Sequence, residues 1–98
     1  MPARPPTKTS GQPPALTSAQ IRAARALIRW SAEDLAKGSA LGVATIRRAE
    51  LRDNGTKLTA ANDLAVRRAL EAAGVEFIAE SESGAAGVRL RKPSDRAP

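Results

Sequence analysis

The sequence predicts a small, mainly α-helical domain: a bundle of four helices followed by a short C-terminal β-hairpin. Three observations predict it. Apolar residues recur every three or four positions in four stretches between Ser18 and Ala73. Three of these stretches open on Ser or Thr, the residues that cap helix N-termini. After Gly74 the apolar period shortens to two, the spacing of a strand.

The chain has 98 residues, room for one small core. Pro2, Pro5, Pro6, Pro13 and Pro14 crowd the first fourteen residues, with Thr, Ser, Gly and Gln between them. Such a segment has almost nothing apolar to bury, so residues 1–15 are expected to be a disordered tail. Residues 93–98 have the same character, which leaves 16–92 as the folded domain.

The first helix is expected over about 18–29, capped by Ser18, with Ile21, Ala24 and Ile28 on one stripe. Arg25 shares that apolar stripe, whereas Arg22 and Arg29 lie toward solvent. A second helix is expected over about 32–38. Ser31 is its cap, Asp34 the matching capping-box residue, and Leu35 and Ala36 face inward. The segment Gly38-Ser39-Ala40-Leu41-Gly42 reads as a turn, with Leu41 inserted into the core.

A third helix, about 43–51, has Ile46 and Ala49 on its buried side, with Glu50 beside them. The run Asp53-Asn54-Gly55-Thr56 is a strong turn signal. Thr59 caps a fourth helix, about 60–73, with Val66, Ala69, Leu70 and Ala73 inward and Gly74 as its left-handed stop. Strands are expected at about 75–78 and 88–91, where Glu76 and Glu80 could face Arg89 and Arg91.

Composition narrows the function. There is no Cys and no His, which removes disulfides, thiolate metal sites and the commonest general base. Neither an enzyme nor a metal site nor a cofactor is expected. No apolar run is long enough to cross a membrane and no signal peptide is evident, so a cytoplasmic protein is expected. The net charge of +6 points to a polyanionic partner. One Trp, one Phe and no Tyr disfavour base stacking on an aromatic platform, and with it single-strand binding.

Two short helices joined by a tight turn, the second of them basic, have the form of a helix-turn-helix. In the third helix Val43, Ala44, Arg47 and Arg48 are expected to face outward. The small residues at its start would allow a close approach to base edges. Arg48 or Arg47 could pair with guanine O6 and N7, and Thr45 could donate to a phosphate oxygen. Arg52 and Lys57 are further candidates for phosphate contact. Arg25 and Glu50 each sit on an apolar stripe, where an unpaired charge is costly, so they are expected to pair with each other as a structural salt bridge.

The run from Ser18 to Ala36, the segment Gly42-Val43-Ala44-Thr45-Ile46-Arg47-Arg48-Ala49-Glu50, and the stretch from Arg67 to Ile78 with its Gly87-Val88-Arg89-Leu90-Arg91 ending resemble the Xre/Cro family of helix-turn-helix regulators. The likeness is to a small alphaproteobacterial-type branch with a C-terminal strand pair, and it spans about Leu16 to Lys92. The resemblance implies a bundle of four or five helices that binds operator DNA, usually as a dimer. By position it implies base contacts from Val43, Ala44 and Arg48, a phosphate contact from Thr45, and the family's salt bridge in Arg25 and Glu50. Two positions depart from the pattern. Ala32 stands where a phosphate-gripping Gln is common, and Ala40 where the turn usually carries Gly.

The expected function is therefore sequence-specific binding of double-stranded DNA by a homodimeric transcriptional regulator, a repressor that occupies a promoter. The alternative is a protein-interaction module on the same scaffold, an antitoxin or an antagonist of another regulator, docking through the C-terminal hairpin.

Overall fold

Local capping chemistry sets where each helix begins. In the computed structural model, which describes residues 14–51 and 55–92, Thr17 caps the first helix, α1 (Ser18–Ile28). The Thr17 hydroxyl accepts from the Gln20 N–H at 3.0 Å, and the Gln20 side chain accepts from the Thr17 N–H at 2.9 Å. This corrects the expectation that Ser18 is the cap. Ser18 is buried, and its hydroxyl donates to the Ala49 carbonyl, a bond that exists only once the third helix lies against α1. At the other end Arg29 adopts the left-handed conformation, φ 59°, and ends the helix one residue earlier than expected.

Ser31 and Asp34 form the expected reciprocal box at the start of α2 (Ala32–Ser39). This helix runs through Gly38, which was expected to open the turn. The six-membered ring of Trp30 lies against Gly38, where an added Cβ would stand 3.3 Å from two ring carbons. The Ser39 hydroxyl then donates to the Leu35 carbonyl at 2.7 Å, satisfying it inside the last turn.

The third helix, α3 (Val43–Glu50), stops at Leu51. The fourth, α4 (Ala60–Ala72), starts at Thr59, whose hydroxyl accepts from the Asn62 N–H at 3.1 Å. Gly74, at φ 106°, turns the chain out of α4. Strands β1 (Val75–Ile78) and β2 (Gly87–Leu90) pair antiparallel, Val75 opposite Leu90 and Phe77 opposite Val88.

β2 thus begins and ends one residue before the expected span. Glu76 faces Arg89 and pairs with it at 2.9 Å, as expected. The second expected pair does not form, because Glu80 lies beyond the end of β1 and Arg91 turns back to donate to the Glu71 carbonyl of α4.

The core joins all of these elements. Ile21 and Ala24 of α1, Leu35 of α2, Ile46 of α3, Val66 and Leu70 of α4 and Val75 of β1 are fully enclosed. Each large aliphatic among them stabilises the fold by about 1.5–3 kcal/mol. Leu16, ahead of α1, is enclosed as well, held by a bond from its N–H to the Asp63 carboxylate at 2.9 Å.

The hairpin is tied to the bundle by Gln20, whose side-chain N–H donates to the Gly87 carbonyl at 3.0 Å. That tie supports a two-stranded sheet that would be marginal alone. The result is a mainly helical domain of four helices and a two-stranded antiparallel sheet among the described residues. No described helix is long and apolar enough to cross a membrane. Residues 1–13 of the expected N-terminal tail (1–15), the expected C-terminal tail (93–98), and the turn residues Arg52, Asp53 and Asn54 lie outside the described residues.

Candidate nucleic-acid interface

The turn between α2 and α3 is built on a left-handed alanine. Ala40 has φ 61° and ψ 30°. Its N–H donates to the Lys37 carbonyl at 3.3 Å, and the Leu41 N–H reaches back to the Ala36 carbonyl at 3.1 Å. This pair of bonds is the Schellman closure, in which Gly is the usual left-handed residue. Ala is accepted here because the core interactions of Leu35 and Leu41 hold the turn from both sides. α3 then starts at Gly42 with no side-chain cap, and the Thr45 N–H turns back to the Gly42 carbonyl at 3.0 Å.

α3 divides cleanly into two faces. Ile46, Ala49 and Glu50 are buried, while Ala44, Arg47 and Arg48 are exposed. Val43 and Thr45 are half-buried, and Val43 packs against the core instead of turning fully outward as expected. Leu41, two residues ahead of it, packs against the same core.

The buried side is fixed by a charge pair. Arg25 Nε donates to Glu50 Oε2 at 2.6 Å and Nη2 donates to Oε1 at 2.7 Å, while Nη1 donates to the Trp30 carbonyl at 2.8 Å. The Glu50 side chain is 9% exposed and that of Arg25 23%. Hydrogen bonding to Glu50 raises the Arg25 pKa above its ordinary value, against the lowering effect of burial. Arg22 adds a bond from its guanidinium to the Glu50 carbonyl. The C-terminal end of α3 is therefore held to α1 by two arginines.

The two exposed arginines differ in their surroundings. Arg47 is paired with Glu33 of α2. The Glu33 carboxyl is held below the usual carboxylate range, first by its own backbone N–H at the helix start and then by Arg47. Arg48 has no carboxylate within salt-bridge distance among the described residues, and its Nη2 lies 3.5 Å from the Thr45 hydroxyl.

Arg48 also borders a groove of about 250 Å³ formed with the start of α4, lined in addition by Thr45, Thr56, Lys57, Thr59 and Asn62. Among the described residues this lining has two cations, three hydroxyls, one amide, the apolar Ala49 and Leu58, and no carboxylate. Lys57 reaches its exposed position from a left-handed backbone, φ 64°. The Thr56 hydroxyl accepts from the Leu58 N–H at 3.1 Å, which orders the loop that carries Lys57.

Of the residues singled out in the sequence, Thr45, Arg48 and Lys57 come together around this groove, with Ala44 and Arg47 on the adjoining exposed face of α3. Val43 serves mainly in packing, and Arg52 lies outside the described residues. Thr56 and Asn62 escaped sequence reading. Each looks like ordinary turn or helix polarity until the tertiary fold brings it to the groove beside Arg48.

A second, larger groove of about 430 Å³ shares none of these residues. It is lined mostly by apolar side chains of β1 and the segment before α1, with Arg67 stacked over Phe77 at 5.2 Å. Arg67, which is not among the inward residues expected of α4, is drawn in by that ring and by a bond to the Pro14 carbonyl at 2.7 Å.

No described group of His, Cys, Asp or Glu could hold a metal ion. Comparison with known proteins finds no family model and no curated protein that matches the chain.

Proposed function

We propose that this chain is a sequence-specific, double-stranded DNA-binding regulator of transcription, of the Xre/Cro helix-turn-helix type, acting in the cytoplasm. α3 enters the major groove, Arg48 reads guanine, Ala44 permits close approach, and Thr45 and Lys57 grip phosphates. The observation that carries this reading is the groove joining Arg48 to Lys57. Among the described residues it is basic, lined by hydroxyls and without a carboxylate, and it lies beside an exposed helix face whose buried side is clamped by Arg25. Binding as a homodimer would match a palindromic operator, repressing by occupying a promoter.

Selection of bound duplexes from a random library tests the reading. The expected result is a recurring sequence bound with a steep salt dependence. Recovery of unrelated sequences with no shared motif would overturn it.

A second reading is supported by the hairpin. Its two strands each leave one edge unpaired among the described residues, and Ile78 and Leu90 are each 38% exposed. An antitoxin or an antagonist of another regulator could dock there by adding a strand. Co-purification of a protein partner that survives nuclease treatment, from cells where no duplex is selected, would favour it.

A further inference from the structure

The ion pair between Arg47 and Glu33 is placed unlike the one that fixes the scaffold. It bridges the exposed sides of α2 and α3, with side chains 54% and 62% exposed, whereas the Glu50 side chain is 9% exposed. Water screens such a pair, so it contributes little to holding the helices together. Its effect falls instead on which cation the outer face of α3 offers.

Arg47 and Arg48 are adjacent and both exposed, and only Arg47 has a carboxylate partner among the described residues. We infer that Glu33 is a specificity-determining residue of this surface: by clasping Arg47 it keeps that cation from gripping phosphates of any sequence and leaves Arg48 as the reading arginine. This rests on the DNA-binding reading above.

The physical argument concerns the competing, sequence-blind complex. Binding to random DNA is almost wholly electrostatic, and each freed cation that reaches a phosphate strengthens it. A matched complex draws much of its affinity from oriented base-edge contacts, which a distant carboxylate perturbs less. Glu33 therefore weakens the random complex more than the matched one. Its negative charge acts in the same direction by repelling the phosphate backbone.

The test uses the full chain with Glu33→Gln, Arg47→Gln and both together, titrated with a selected duplex and a scrambled duplex of equal length and composition. Glu33→Gln is expected to tighten scrambled binding severalfold and the selected duplex less, and to steepen the salt slope by about 0.9, one added phosphate contact. Adding Arg47→Gln should return both toward wild type. Independently of DNA, the Arg47 Nε–Hε group is expected to be more ordered by NMR relaxation in the wild type than in Glu33→Gln.

An unchanged specificity ratio and salt slope in Glu33→Gln, with the wild type still selective, would overturn the role of Glu33 and leave the DNA reading standing. Equal Arg47 mobility in the two proteins would overturn the clasp itself. A wild type that prefers no duplex, with Arg47 ordered, would remove the DNA reading and this role with it.

Discussion

Arg25 and Glu50 meet through two parallel N–H···O bonds of 2.6 and 2.7 Å, so that α3 is locked to α1 by a fork and not by a single contact. Removing one partner strands the other's charge among apolar neighbours. Arg25→Ala and Glu50→Ala are each expected to destabilise the domain by about 2–3 kcal/mol, below the 3–5 kcal/mol of fully buried pairs because Arg25 keeps 23% exposure. The double substitution should cost less than the two losses added. Urea unfolding of the four proteins measures the coupling, and a value near zero would contradict the pairing.

Ala40 occupies a left-handed position, φ 61°, that favours glycine. Ala40→Gly relieves Cβ strain of about 1–2 kcal/mol but adds freedom to the unfolded chain, worth about 0.4–1 kcal/mol. The net gain of roughly 1 kcal/mol corresponds to a rise in Tm of about 4–8 °C for a domain of this size. A melting curve shifted downward would show that the alanine methyl has a packing role.

Gly38 touches the ring of Trp30, which is the only tryptophan in the sequence. Gly38→Ala is expected to be near neutral, since the helix gain of about 0.8–1 kcal/mol is offset by a contact at 3.3 Å. Gly38→Val should displace the ring and cost about 1–3 kcal/mol. Fluorescence reads this directly, with a red-shifted emission for Gly38→Val alone.

Acid should weaken the fold through its helix caps and surface pairs. Hydrogen bonds from the Ser31 N–H and hydroxyl hold the Asp34 carboxyl below its ordinary range, and Arg89 does the same to Glu76. A carboxyl depressed on folding contributes stability that is fully present above its unfolded pKa and lost as pH falls through the folded one. Stability should therefore fall steadily below about pH 5. Asp34→Asn and Glu76→Gln should flatten that slope in chemical denaturation, and unchanged slopes would assign acid sensitivity elsewhere.

Arg48 and Lys57 border one groove but are given different work in the proposed complex. Arg48→Ala should lose about 1–3 kcal/mol on the matched sequence and relax discrimination at one base pair. Lys57→Ala should weaken all sequences alike and reduce the salt slope by about 0.9. Parallel titrations with matched and single-mismatch duplexes separate the two outcomes, and equal behaviour would remove Arg48 as a base reader.

Much of this molecule can be read from local chemistry. The stripes of Ile21 and Ala24, Leu35, Ile46 and Val66 mark the buried faces, because helical periodicity is a property of neighbouring residues alone. The Ser31–Asp34 box and the Thr59 cap are local for the same reason. Even the Arg25–Glu50 pair is legible, since two opposite charges on facing apolar stripes are each costly unpaired and can satisfy one another.

What the sequence could not reveal depends on residues distant along the chain. Ser18 has the chemistry of a cap, yet it is spent on the Ala49 carbonyl once α3 packs beside it. Asp63 looks like first-turn polarity and instead receives the Leu16 N–H from 47 residues away. Arg47 and Arg48 are equivalent as letters, and only packing separates them, Arg47 meeting Glu33 across the turn and Arg48 bordering the groove with Lys57. Sequence by itself determined the helices, their inward faces and the charge pair between them. Tertiary structure decided which polar groups are consumed in holding the fold and which cations remain outside, because hydrogen-bond partners are assigned by proximity in space, not in sequence.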